Sequence, residues 1–201
     1  MNSLSCEITL SKIIKDKSNS NAANIFGFIA YTNAHPNVIK ILRDSDYWTC
    51  FDEISNGWII YSIRPEQGST RLPEMPEGVM GMMVPIWHEP NKNKEFLEFF
   101  DMESTQGLPL FIAFAIGQDQ TIDKIAFKID DSSQDTAYQS IKLIIDTITN
   151  TLDLIDPMYK STTSVFREVE KQIGCLEFKQ KIHATRKTLE FFTGLITNFL
   201  C

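Results

Sequence analysis

The run IFGFIAYT, Ile25 to Thr32, is apolar at nearly every position and bounded by turn-forming residues. Such a run predicts a strand buried on both faces. From Pro36 the pattern changes. Apolar residues stand at Val38, Ile39, Leu42, Trp48 and Phe51, with Asp44, Asp46, Asp52 and Glu53 between them. That spacing predicts one amphipathic helix, fraying near RDSD, and Asn56-Gly57 is a stop signal for it. WIIYSI, Trp58 to Ile63, then reads as a second buried strand. Strand, helix and strand in this order predict a right-handed parallel crossover.

Other stretches complete the order. TLSKIIKDKS, Thr9 to Ser18, predicts a brief helix, and NSNAAN, Asn19 to Asn24, a polar turn. Residues 64–94 form the least regular stretch, with five prolines and three glycines. Ordered loops of that length are commonly lids or docking elements. EFLEFFDM, Glu95 to Met102, predicts a short helix. LPLFIAFAI and IDKIAFKID, joined by GQDQT, predict a β-hairpin across residues 108–130. Between Asp135 and Leu154 the apolar face is Ala137, Ile141, Ile144, Ile145, Ile148 and Leu152, with Asp135 as the candidate cap. A doubly wound nucleotide-binding domain would instead require a parallel strand within residues 108–130.

Composition narrows the chemistry. The 201 residues are 43% hydrophobic, enough to fill a core. The longest apolar run, LPLFIAFAI, is about half of the roughly 20 residues a membrane-spanning helix needs. MNSLSCEITL lacks the basic start and continuous apolar stretch of a secretory signal, so the cytoplasm is the expected compartment. Four scattered cysteines, Cys6, Cys50, Cys175 and Cys201, and three separated histidines, His35, His88 and His183, have no metal-binding spacing. No metal or other cofactor is expected. The net charge of −7 divides into −10 over residues 1–156 (12 basic, 22 acidic) and +3 over 157–201 (seven basic, four acidic). An acidic body disfavours nucleic acid as a partner. GVMGMM lacks the lysine and helix start of a phosphate loop.

The element order and two local features resemble the thioredoxin-like fold superfamily over residues 9–154. In that family a buried strand runs into a helix whose first turn carries a Cys-x-x-Cys pair. The corresponding residues here are Ala34, His35, Pro36 and Asn37. QGLPLFIAF resembles the family's entry into the first hairpin strand, which makes Pro109 the candidate cis-proline, an ordinary trans turn proline being the alternative. The resemblance implies a mixed sheet with flanking helices, and a fold from which thiol chemistry has been lost. Disulfide exchange needs an attacking thiolate and a resolving thiol, which Ala34 and Asn37 do not supply. His35 at a helix start would be favoured in its neutral form, yet it has no evident nucleophile to activate.

Two stretches point to binding. GVMGMMVPIW, Gly78 to Trp87, offers Met82, Met83 and Trp87 as contact residues beside the groove; the alternative is an extra edge strand packed on its own core. After Asp156-Pro157, TTSVFREVEKQI predicts a helix burying Phe166, Val169 and Ile173. Ile182, Leu189, Phe192, Ile196 and Phe199 then follow near-heptad spacing. Its own domain, a second copy or another protein would cover that stripe. The expectation is an α/β protein with a thioredoxin-like domain over residues 1–156, an insertion at 64–94 and a helical C-terminal extension over 157–201. It would act as a non-catalytic, homodimeric or partner-bound protein-interaction module, with a groove formed by Ala34, His35, Pro36, Asn37, Pro109, Met82, Met83 and Trp87. A small-molecule or transferase-type enzyme using the groove near His35 and Pro109 is the alternative.

Overall fold

A computed structural model of the chain describes residues 3–4, 25–55, 58–74, 83–116, 121–155, 162–174 and 187–188. The fold is mixed α/β. Strands β1 (Ser3–Leu4), β2 (Ile25–Ala30), β3 (Ile59–Ile63), β6 (Leu110–Ile116), β7 (Thr121–Lys128) and β8 (Lys187–Thr188) form one sheet in the order β1-β3-β2-β6-β7-β8. β3 runs parallel to β1 and β2, whereas β2–β6, β6–β7 and β7–β8 are antiparallel. The hairpin expected over residues 108–130 is present, with Ile116 opposite Ile122. That excludes the parallel strand a doubly wound domain would require.

Both sheet faces are covered, which explains why the central strands lack polar alternation. On one face Ile25, Ile29, Phe111, Ala113 and Ala115 meet helices α1 (Pro36–Arg43), α2 (Ser45–Ile54), α4 (Gln134–Leu154) and α5 (Thr162–Gly174). The opposite face carries Phe26, Phe28, Ala30, Ile112 and Phe114 against Phe96, Leu97, Phe99 and Phe100 of α3 (Lys94–Phe100). Gly27 lies where a Cβ would come 2.8 Å from the Trp58 ring and 3.0 Å from that of Phe111. Its missing side chain lets those two rings cross the centre of the sheet.

The reading of two helix boundaries needs correction. The amphipathic stretch from Pro36 is two helices, not one. Asp44 takes an extended conformation between them, and its carboxylate accepts from the Asp46 amide at 2.9 Å, so the residue read as fraying ends α1 and caps α2. The cap of α4 is Ser133 rather than Asp135. Ser133 and Thr136 exchange side-chain-to-backbone bonds of 3.1 and 3.0 Å, a reciprocal capping box, while Asp135 sits in the first turn.

The irregular stretch contains a ribbon, β4 (Ser69–Arg71) paired antiparallel with β5 (Ile86–His88) and separate from the main sheet. Beyond residue 157, α5 buries Val165, Phe166, Val169 and Ile173 in the same cluster as α4, but the extension is not helical throughout. Lys187–Thr188 form strand β8 beside β7, which breaks the heptad spacing expected from Ile182 to Phe199. The predicted helix and turn over residues 9–24 lie outside the described residues, as do Met82, Ile182, Leu189, Phe192, Ile196 and Phe199. Among the described residues no helix is long and apolar enough to cross a membrane.

Candidate functional site

β2 delivers the chain to Thr32, and α1 begins at Pro36, whose fixed φ and absent N–H suit the first helical position. Ala34 and Pro36 are exposed, while His35 and Asn37 are half-buried. The turn is self-bonded. The Thr32 amide donates to His35 Nδ1 at 3.0 Å, the His35 amide donates to the Thr32 carbonyl at 3.2 Å, and the Ala34 amide donates to Thr32 Oγ1 at 3.3 Å.

An N–H donating to Nδ1 requires that nitrogen to be an acceptor, so the ring proton of neutral His35 is on Nε2. Burial pushes the imidazole pKa down, and Lys128 pushes it the same way; Asp131 and the Leu108 main chain oppose them. The folded chain therefore binds a proton at His35 less readily than the unfolded chain does. Stability from this group is complete above the ordinary histidine pKa of about 6.5, and it is lost as pH falls from there through the folded value. Through Nδ1 this ring braces the turn.

A second polypeptide segment completes the site. Asp131, after β7, accepts the Val38 amide on Oδ1 at 2.8 Å and the Asn37 side-chain amide on its carbonyl oxygen at 2.7 Å. The N-terminal end of α1, where a helix favours a thiolate or a phosphate, is thus occupied by the protein's own carboxylate. Loss of a helix cap typically costs about 0.5–2 kcal/mol. Asp131→Ala is expected to lose stability in that range in urea unfolding and to speed amide exchange at Val38; unchanged exchange there would contradict the capping role.

Pro109 lies against the same junction. The Leu108–Pro109 peptide bond is cis. The Pro109 carbonyl accepts the Ile129 amide at 3.1 Å, two residues before Asp131. Lys128 donates its ammonium to the carbonyls of Gly107 and Leu108 at 2.8 and 2.7 Å, and burial lowers its pKa. At the rim, the Arg64 guanidinium donates to Asn33 Oδ1.

Ala34, His35, Pro36, Asn37 and Pro109 therefore converge on one junction. Met83 and Trp87 belong to the ribbon segment. Met83 is at the exposed margin, whereas Trp87 is half-buried and donates its indole N–H to Glu89 at 3.0 Å. Glu89 in turn accepts from Thr105, four residues before Pro109. Lys128, Asp131, Glu89 and Thr105 are the supporting residues that sequence reading missed. The bonds that join them to other segments span from 16 positions, Glu89 to Thr105, to 93, Asp131 to Val38, so no local pattern announces them.

Cys50 lies on α2 with its sulfur 3.0 Å from the Tyr138 hydroxyl, a pairing that helps raise the phenol pKa to about 12. It does not belong to the α1 junction. Among the described residues there is no group of three or more His, Cys, Asp or Glu that could hold a metal ion. Comparisons with protein-family models, curated proteins and solved structures gave no match.

Proposed function

We propose that the chain is a non-redox protein of the thioredoxin-like superfamily, acting as a protein-interaction module through the groove at Ala34–Asn37 and Pro109. The observation that carries this reading is the start of α1. Its two positions matched to cysteines are Ala34 and Asn37, its histidine is engaged by Thr32, and its helix terminus is filled by Asp131. Nothing there supplies the electron pair or the leaving group of thiol exchange. The sheet order, with a parallel crossover followed by an antiparallel hairpin, supports the same superfamily.

Recognition then falls to exposed surface beside the junction. Ala34 and Pro36 offer a small, uncharged ledge. Leu72, Val84 and Ile86 are exposed on the ribbon and its flanks, large apolar side chains of the kind that protein contacts cover. The C-terminal apolar residues Ile182, Leu189, Phe192, Ile196 and Phe199 supply the proposed oligomer or partner contact.

Ala34→Arg and Val84→Arg, both at exposed positions, separate recognition from stability. Each is expected to leave thermal unfolding unchanged and to reduce capture of the physiological partner from native extract at least tenfold. Capture undiminished by either variant would contradict the groove. Truncation after Gly174 removes the stripe together with β8 and leaves α5 in the chain; the intact chain should sediment at a multiple of its own monomer mass and the truncated chain at its own monomer mass. An intact chain that sediments as a monomer, or a truncated chain that keeps the same subunit number, would remove the oligomer contact.

A further inference from the structure

We propose that Glu89 is the joint that fixes the β4–β5 ribbon to the Thr105–Pro109 turn, so that the ribbon and the turn entering Pro109 move as one unit. Three stretches of chain meet at this carboxylate. Its Oε2 accepts from the Trp87 indole at 3.0 Å, the Thr105 amide at 2.8 Å and the Thr105 hydroxyl at 3.1 Å. Oε1 accepts from the Asn93 side-chain amide. Asn93, 1% exposed, carries the connection onward: its Oδ1 accepts the Glu66 amide at 2.9 Å, and its Nδ2 also donates to the Glu66 carbonyl at 2.6 Å.

The donors on Glu89 are neutral, and only a carboxylate offers acceptor sites to all of them at once. Burial opposes the charge, but the donations from Thr105, Asn93 and Trp87 outweigh it and hold the carboxyl below its usual range. Gly68 completes the joint. A Cβ there would come within 2.7 Å of the Trp87 ring and 2.9 Å of the His88 carbonyl, so the bare backbone lets the indole lie close enough to reach Glu89. Beyond the joint, Thr105 leads through Gly107, whose carbonyl is held by Lys128, into Pro109. A displacement of the ribbon is thereby transmitted to the groove edge. Its meaning for recognition rests on the function proposed above, whereas the joint itself is measurable without a partner.

The charged and titratable groups on the segments that meet at Glu89 are Glu66 with its partner Lys92 at 3.0 Å, Arg64 before Glu66, His88 in β5, Lys94 at the start of α3, and Glu103 before Thr105. The test is a pH titration of the full chain by NMR, following the Thr105 amide and the Trp87 indole N–H. Both signals should shift with one shared midpoint below the ordinary glutamate value of about 4.3. Glu66→Gln should keep that shared transition. Glu89→Gln should abolish it and accelerate Thr105 amide exchange at neutral pH at least tenfold, because the new NH2 faces groups that are themselves donors. Separate midpoints in the wild-type chain, loss of the transition in Glu66→Gln, or unaltered exchange in folded Glu89→Gln would overturn the joint. A shared titration in a chain that captures no partner would keep the joint and remove the recognition reading.

Discussion

Phe28→Ala is expected to cost about 3–5 kcal/mol of folding stability, the usual range for removing a buried phenylalanine. Phe28 is 0% exposed at the centre of β2. Its ring stacks on Phe114 with centroids 5.0 Å apart and contacts Tyr61 and Phe100, each at 5.6 Å. These partners come from β6, β3 and α3, so one ring joins the sheet to the helix on its second face. None of them can collapse into the void without leaving its own packing. Against a total stability of about 5–15 kcal/mol for a domain, the loss is a large fraction of what holds the chain folded. Urea unfolding measures it directly, with Phe28→Leu as the milder control. A cost below about 1 kcal/mol for alanine would mean that the second face is not packed around this ring.

Lys124→Met is expected to cost about 1–3 kcal/mol, for a different reason. Lys124 is 4% exposed, yet it carries an ammonium group. The charge is met by the Phe99 carbonyl at 2.7 Å and the Asp101 carboxylate at 2.8 Å, with the Phe100 ring 6.0 Å away. Methionine fills much of the volume but leaves Asp101 and a backbone carbonyl without this donor. Asp101 also terminates α3 in a left-handed conformation, φ 51°, so the ammonium fixes the end of a helix as well as pairing a charge. Adding Asp101→Asn to Lys124→Met should recover part of the loss. Full additivity of the two substitutions in a double-mutant cycle would show that the pair is not coupled.

Lys124 also marks the limit of what a residue pattern reveals. The hairpin strand around it was legible from its apolar content and the polar turn before it, as were β2, β3, α4 and α5. Each is specified by residues within its own length. The burial of a lysine is not specified that way, because its compensation comes from Phe99 and Asp101, more than 20 positions earlier.

The candidate site divides along the same line. Ala34–Asn37 and Pro109 were legible, since a strand entering a Pro-started helix and a proline before a hairpin strand are local signals. Asp131, Lys128 and Glu89 were not, because a charged residue in a loop or at a strand end gives no sign of which amide or carbonyl of another segment it will meet. The division at Asp44 was missed for a subtler reason: its apolar neighbours keep helical spacing through a non-helical residue. The acidic side chain that signals the break is equally common on an exposed helical face.

The central claim, that α1 begins like a thiol catalyst from which the chemistry has been removed, is tested most directly by dithiothreitol-driven reduction of insulin disulfides. Wild-type chain should leave the uncatalysed rate unchanged, and the double variant Ala34→Cys with Asn37→Cys should accelerate it. Acceleration by the wild-type chain, or a folded double variant that accelerates nothing, would contradict the account.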